Sequence, residues 1–281
     1  MRSLTLRWPG LPFVTPLVLL SGLAFAVPLA LLVAMGFATA EGTPTLANYT
    51  RFLGDAFSRQ VLVDTLLLGG YVVVGTTLVG LPITLLYWHA NKWGRSAIVF
   101  LTLLPMLTSN VVRTFAWIVL LGRQGPISHA AVQLGLIDQP TSFLFTEIGL
   151  VVALCQIELP LLVLPVIAVL SRTDRSLVDA AVMLGAGRWR ILGTVLLPIM
   201  APAVLAGWVL VFASATTSYV TQSVIGGARH IYVPQYIYRE VGVLFQWPNA
   251  AAISTILLLA TGAVMLAVTS LSRHRRLVGH A

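Results

Sequence analysis

Asp179-Ala180-Ala181-Val182-Met183-Leu184-Gly185, running on to Leu197-Pro198, is a polar island between two long apolar runs. The flanking runs, 148–170 and 191–215, both exceed the roughly 18 residues that mark a membrane-spanning helix. Ser171 to Arg175 is polar, and Ser176-x-x-Asp179 has the form of a capping box with Asp in the Glu position. Leu177, Val178, Ala181, Val182 and Leu184 then recur at near-helical spacing, which predicts a short helix over 177–184. Ala180-Ala181 lets a partner approach that helix closely, and Gly185 allows a reversal that a Cβ resists. Arg188-Trp189-Arg190 reads as an anchor at the lipid surface, with Pro198 one to two turns into the next span. The island is therefore expected to be a helix, a sharp turn and a second helix feeding back into a membrane.

The rest of the 281 residues supports a membrane setting: 58% are hydrophobic and only 9% charged. Soluble domains carry roughly 25% charged residues, so too little polar surface exists here to cover a water-facing globule. The formal charge of +8 would suggest nucleic acid in a soluble protein. In a membrane protein basic residues flank spans and set topology, so no nucleic-acid partner is implied. Cys155, the single cysteine, excludes an intrachain disulfide or a cysteine metal cluster, and reads as a small core residue.

Outward from the island, six spans are expected, at about 11–38, 61–88, 96–121, 148–170, 191–215 and 249–271, with a loop at 171–190. Together they make one transmembrane domain over 1–281. The first run is longer than the 7–15 apolar residues of a signal peptide and reads as an uncleaved helix, softened by Pro12, Pro16 and Pro28. Gly70, Gly75 and Gly80 offer close helix approach along the second. Thr108-Ser109-Asn110 interrupts the third, leaving an amphipathic shoulder outside. With both termini cytoplasmic, 11 of the 17 basic residues fall inside: Arg2, Arg7, Lys92, Arg95, Arg172, Arg175, Arg188, Arg190, Arg273, Arg275 and Arg276. That bias is the positive-inside pattern, and it fixes an all-α polytopic fold with the island in the cytoplasm.

Catalytic constellations are missing. Lys92, the sole lysine, follows no Gly-rich run, so no phosphate-binding loop exists. The histidines have no metal-ligand spacing, and no nucleophile elbow occurs. The chain is thus expected to be no enzyme, to hold no metal and to bind no cofactor itself. Glu158 is the one carboxylate deep in a span, where ionisable groups usually face a cavity or a partner; a neighbouring Gln156, a carbonyl or another subunit would also satisfy it. Leu159-Pro160 is expected to bend the helix there. Arg113 near Trp117 reads as a snorkelling interfacial arginine or as a contact for an anion. Tyr219, Tyr232, Tyr236, Tyr238 and Trp247 suit an aromatic belt, with reception of an external protein as the alternative. Glu158, Arg113, Trp117, Tyr219 and Glu240 make up the candidate translocation pathway.

At the island the chain resembles the permease subunits of binding-protein-dependent ABC importers. Asp179-Ala180-Ala181, Gly185 and Val195-x-Leu197-Pro198 look like their EAA signature (Glu-Ala-Ala, three residues, Gly, nine residues, Ile-x-Leu-Pro), with Asp for Glu and Val for Ile. Val112-Arg113-Thr114-Phe115-Ala116-Trp117, continuing to Arg123, is similar to the spermidine/putrescine-type branch, as are Gly135-Leu136-Ile137-Asp138, Gly226-Gly227 and Trp247-Pro248. The resemblance implies a type I importer domain of the bacterial inner membrane that pairs with a second permease, either a copy or a paralogue. It also implies a cytoplasmic ATPase that binds the ATP and grips a coupling helix, and a periplasmic solute-binding protein that delivers the solute. Asp179, Ala180, Ala181, Gly185, Leu197 and Pro198 would couple ATPase to permease. The competing expectation is an ion-gradient-driven secondary transporter or channel using Glu158. No internal repeat of the kind such folds often show is visible.

Overall fold

A computed structural model describes residues 11–39, 41–227 and 230–278, with side chains over 16–39, 41–227 and 230–270. Arg2 and Arg7 lie outside the described residues, as do the side chains of Arg273, Arg275 and Arg276. Among the described residues there is no strand, only an isolated bridge between Ala38 and Pro44. The chain groups into two compact units, residues 1–56 with 237–258 and residues 57–236 with 259–281.

The first unit holds α1 (Leu11–Gly36), α2 (Ala47–Gly54), the end of α12 (Val233–Gly242) and the start of α13 (Trp247–Val278). From Leu17 to Met35 α1 presents mostly exposed apolar side chains, the composition of a surface that faces lipid. Asn48 Nδ2 donates to the carbonyls of Gly36 and Ala38 and so ties the end of α1 to α2.

The second unit is built on α3 (Ala56–His89), α7 (Glu147–Arg172) and α10 (Leu197–Thr217). α7 carries the core: Leu150, Leu154, Leu162 and Val166 are buried with Leu68 and Val72 of α3 and Met200 and Val211 of α10. Small residues set the approach of these helices. A Cβ on Gly207 of α10 would lie 2.6 Å from Leu162 Cδ1 and 3.0 Å from Leu162 Cα. On α3, Gly75 lies against Cys155 and Gly80 against Leu162 and Val163. Gly70 meets no neighbour; Gly69 instead lies against Thr216 and Phe212. Trp208 Nε1 donates to Thr77 Oγ1 at 2.9 Å, adding a polar tie between α10 and α3.

The third apolar stretch is broken. α4 (Lys92–Leu103) and a 3₁₀ turn (Leu104–Leu107) end at Thr108-Ser109, and α5 (Asn110–Leu121) with α6 (Pro126–Gln133) continues at 100° to it. Among the described residues five helices are long and apolar enough to cross a membrane, six if this bent pair is one span. The break follows from Pro105 and from Thr108, whose hydroxyl bonds the Pro105 carbonyl at 2.8 Å instead of extending the helix.

α7 is a single helix through Pro160 and Pro165, each of which removes one i→i−4 bond. One local expectation is corrected. The capping box at Ser176 does not form. α8 spans Ser176–Met183 with Arg175 at the N-cap, and Asp174 Oδ1 accepts from the Ser176 N–H at 3.0 Å. Ser176 is therefore already inside the helix, one residue too late to cap it. That bond holds the Asp174 carboxyl below the usual aspartate range.

Candidate functional site

The 176–198 segment is a helix closed by a Schellman turn. Gly185 N–H donates to the Val182 carbonyl at 2.8 Å and Ala186 N–H to the Ala181 carbonyl at 3.0 Å, with Gly185 at φ +79°. Only glycine adopts that φ without strain, which accounts physically for Gly185 in the island. The turn leaves α8 with an open apolar end, since Met183 and Leu184 are both 88% exposed and Leu177 and Val182 are exposed by about half. Asp179 and Ala180 are exposed and Ala181 half-buried. α9 (Arg188–Ile191) and a π turn (Leu192–Leu196) then lead into α10, whose first two residues are Leu197 and Pro198. Pro198 has no N–H for the Thr194 carbonyl, so the ladder changes register here before the long helix begins.

Two arginines of the positive-inside bias, Arg95 and Arg175, hold this segment to the rest of the unit. Arg175 Nη2 donates to the Trp88 carbonyl at 3.0 Å, and Arg95 Nη2 donates to the same oxygen at 3.2 Å. The Arg175 guanidinium also lies over the Trp88 ring, 5.4 Å from its centroid, and Arg95 over Tyr87 at 5.2 Å. One carbonyl at the end of α3 thus joins the start of α8 to α4. The signal in the sequence was weak: basic residues beside spans usually report topology only.

Four of the five pathway candidates lie on elements packed together in the second unit: α5, α7 and α11 (Tyr219–Thr221). Glu158 is 5% exposed, and the Ser214 hydroxyl of α10 and the charge of Arg113 act on its carboxylate. Arg113 is half-buried; its Nη1 donates to the Ile157 carbonyl of α7 at 3.4 Å while its Nε has no partner. Trp117 Nε1 donates to Gln156 Oε1 at 3.2 Å, one turn of α5 further on. Pro160 contributes here, because the Gln156 carbonyl has no N–H four residues ahead to accept from. Beside this wall Thr114 bonds Thr221 at 3.2 Å. Gln222, fully buried in a π turn (Gln222–Gly226), donates to the Ala215 carbonyl but leaves its own oxygen unpartnered. Buried polar groups without partners are uncommon in native structures, and π turns recur at functional sites.

Glu240 is not part of this group. It lies in the first unit, 3% exposed, where Asn249 Nδ2 donates to it at 2.8 Å and Arg239 is 3.5 Å away. Its carboxylate links the end of α12 to the start of α13. The tyrosine belt is corrected in part: Tyr232 is buried, and Tyr236 bonds Ser58 at 3.3 Å, whereas Tyr238 and Trp247 are exposed. Among the described residues no three His, Cys, Asp or Glu side chains form a metal-binding cluster.

Long apolar helices, a polar wall buried between them and an exposed helical loop at one end define a polytopic transport permease. The family model for the inner membrane component of binding-protein-dependent transport systems matches residues 77–276, and the chain belongs to that family. It is 28% identical over 210 residues to the spermidine/putrescine transport system permease protein PotB of Haemophilus influenzae, covering 75% of this chain and 73% of that one. To the PotB protein of Escherichia coli K12 it is 27% identical over 229 residues, covering 82% and 83%. The fold matches a chain of a bacterial ABC transporter involved in import of the acidic polysaccharide alginate, with TM-score 0.77, 16% identity and coverage of 94% and 95%. A second match is the alginate transporter in complex with an alginate-pentasaccharide-bound periplasmic protein, with TM-score 0.75 and 17% identity. The chain is therefore an all-α, multi-pass inner-membrane permease with the type I ABC importer transmembrane fold.

Proposed function

We propose that this permease forms half of the translocation pathway of an ATP-driven importer of polyamines or a related small cationic solute. A second permease, copy or paralogue, supplies the other half. ATP is bound and hydrolysed by separate cytoplasmic subunits, so the chain is a transport subunit and no enzyme, with no cofactor of its own. A periplasmic solute-binding protein delivers the cargo, and both termini face the cytoplasm. The polyamine assignment is supported by the similarity to the two PotB proteins over three quarters or more of the chain. A buried carboxylate, Glu158, and Trp117, which bonds Gln156 of the same helix, suit a cation through charge and an aromatic face.

α8 is the coupling helix in this reading. The observation that carries it is the exposed apolar end at Met183 and Leu184, set on a glycine turn within the EAA-like spacing. An apolar surface at the end of a short helix is what a protein groove would cover. ATP binding needs only to favour one arrangement of the permeases, since a ligand shifts an equilibrium by its differential affinity. Family membership favours this over the ion-gradient alternative at Glu158. The test is uptake by the complex reconstituted with ATPase and binding protein. Gly185→Asp and Ala181→Glu are expected to abolish uptake and binding-protein-stimulated ATP hydrolysis while the chain still inserts. Wild-type transport by both variants defeats the coupling assignment.

A further inference from the structure

The carbonyl of Trp88, at the end of α3, gathers two guanidinium groups. Arg175 Nη2 donates to it at 3.0 Å and Arg95 Nη2 at 3.2 Å. The two nitrogens therefore stand at most about 6 Å apart, the sum of two hydrogen-bond lengths. Aromatic rings hold both groups in place: Arg175 lies over Trp88 and Arg95 over Tyr87, at 5.4 and 5.2 Å from the centroids. Tyr87 and Trp88 are themselves buried, so the shelves under the two cations are fixed parts of the packing.

One carbonyl does not neutralise two charges. All nine Asp and Glu residues lie among the described ones, and neither arginine has a side-chain carboxylate within ion-pair distance. The nearest in sequence, Asp174, accepts instead from the Ser176 N–H at 3.0 Å. Arg95 supplies an independent sign of a missing partner. Among the described residues its Nε is buried and bonds nothing, while its Nη1, also unbonded, is open. Buried N–H groups without an acceptor are uncommon in native structures, and like charges this close repel unless an anion lies between them.

The missing group is an oxyanion. Planar guanidinium forks match the oxygens of a phosphate, and with charge-assisted bonds of about 2.8 Å on each side one phosphate reaches both arginines. The surroundings point to its source. α3 ends here at His89, α4 starts at Lys92 and α7 ends at Arg172, and Trp93 beside them is 86% exposed. Exposed tryptophan and basic residues at span ends mark the depth of lipid headgroups, and basic pockets between such helices bind anionic ones. A lipid phosphodiester is therefore the expected source, with soluble phosphate as the other carrier of the same chemistry.

We propose that Arg95 and Arg175 form a binding site for a phosphate oxyanion, carried by an anionic lipid headgroup, at the joint between α3, α4 and the start of α8. The bound anion neutralises the pair and lets both arginines stay on the Trp88 carbonyl. An empty site leaves two repelling cations at the contact that ties α8 to α3. The site does not depend on which solute the permease carries.

Native mass spectrometry of the purified permease–ATPase complex tests this. The probes are phosphatidylglycerol and phosphatidylcholine of the same chains, the latter's phosphate being offset by its own cation. Phosphatidylglycerol is expected to bind about tenfold more tightly, and Arg95→Gln/Arg175→Gln should remove that preference. Lys92→Gln/Arg172→Gln deletes the same charge from two exposed residues of the same end and should change the preference less than about twofold. Arg95→Lys/Arg175→Lys keeps the charge and guards against a folding defect; loss of the forks should weaken binding about two- to fivefold. Equal losses in the two glutamine doubles overturn the site in favour of diffuse attraction between basic residues and anionic lipid. Inorganic phosphate in the millimolar range should fail to displace the lipid. Displacement that is lost in the arginine double supports the oxyanion site but overturns the lipid as its source. Absence of both the phosphatidylglycerol preference and phosphate binding in the wild-type complex overturns the proposal outright.

Discussion

Arg175→Gln tests whether α8 moves with α3. The substitution removes a hydrogen bond of 3.0 Å to the Trp88 carbonyl and a cation–aromatic contact at 5.4 Å. A charged donor to a carbonyl contributes about 1.5–3 kcal/mol when buried; Arg175 is exposed, so about 1 kcal/mol is the better figure for a solvated pair. The ring contact adds about 0.5–1 kcal/mol. The loss of roughly 1.5–2 kcal/mol corresponds to about a 10–30-fold shift towards a loop detached from α3. Arg95 holds the same oxygen at 3.2 Å from the α4 side, so the single variants share one acceptor and should not add. A double-mutant cycle with Arg95→Gln is expected to show a coupling energy of at least about 0.5 kcal/mol. The assay is solute accumulated per ATP hydrolysed by the complex in proteoliposomes. Arg175→Gln should lower that ratio several-fold by hydrolysis without transport, with ATPase binding retained because the exposed apolar end of α8 is untouched. An unchanged ratio in the double variant, assembled normally, would refute the idea that this carbonyl carries motion from α8 to α3.

Gly207→Ala should destabilise the permease by about 1–3 kcal/mol through overpacking at the α7–α10 crossing, because its Cβ would stand 3.0 Å from the Leu162 backbone; thermal melting in detergent checks it. Glu158→Gln keeps shape and removes the charge, so expression should be normal while the KM for a cationic solute rises, and an unchanged KM removes Glu158 from the pathway. Asp174 has a depressed pKa. Its bond to the start of α8 is therefore fully present above the usual aspartate range and is lost as pH falls through the lower folded value. Hydrogen exchange at Ser176 should accelerate over that acidic window in wild type, and Asp174→Asn should flatten the response.

Much of the architecture was legible because hydrophobic length and periodicity are local properties. The runs that end in α3, α7 and α10 are long enough that no other structure satisfies their backbone in lipid. Gly185 was legible for the same kind of reason, since a chain reversal after a short helix requires a conformation that glycine alone adopts freely. Ser176 shows the edge of this approach: the residue types fitted a capping box, but the helix starts one residue earlier and Asp174 supplies the bond.

Position along the chain could not reveal which charges meet. Glu240 and Glu158 were both pathway candidates, yet Asn249 takes one while the other shares its surroundings with Arg113 and Ser214. Trp88 and Arg175 are far apart in sequence, so no spacing rule joins them. The sequence by itself determined a helical membrane permease with a glycine-turned helical loop, through apolar length, charge bias and one local turn. Only the tertiary structure decided where its ionisable groups converge, because a charge in a membrane protein acts on whatever the packing of distant helices brings within a few ångströms, and that packing is set by the fold as a whole.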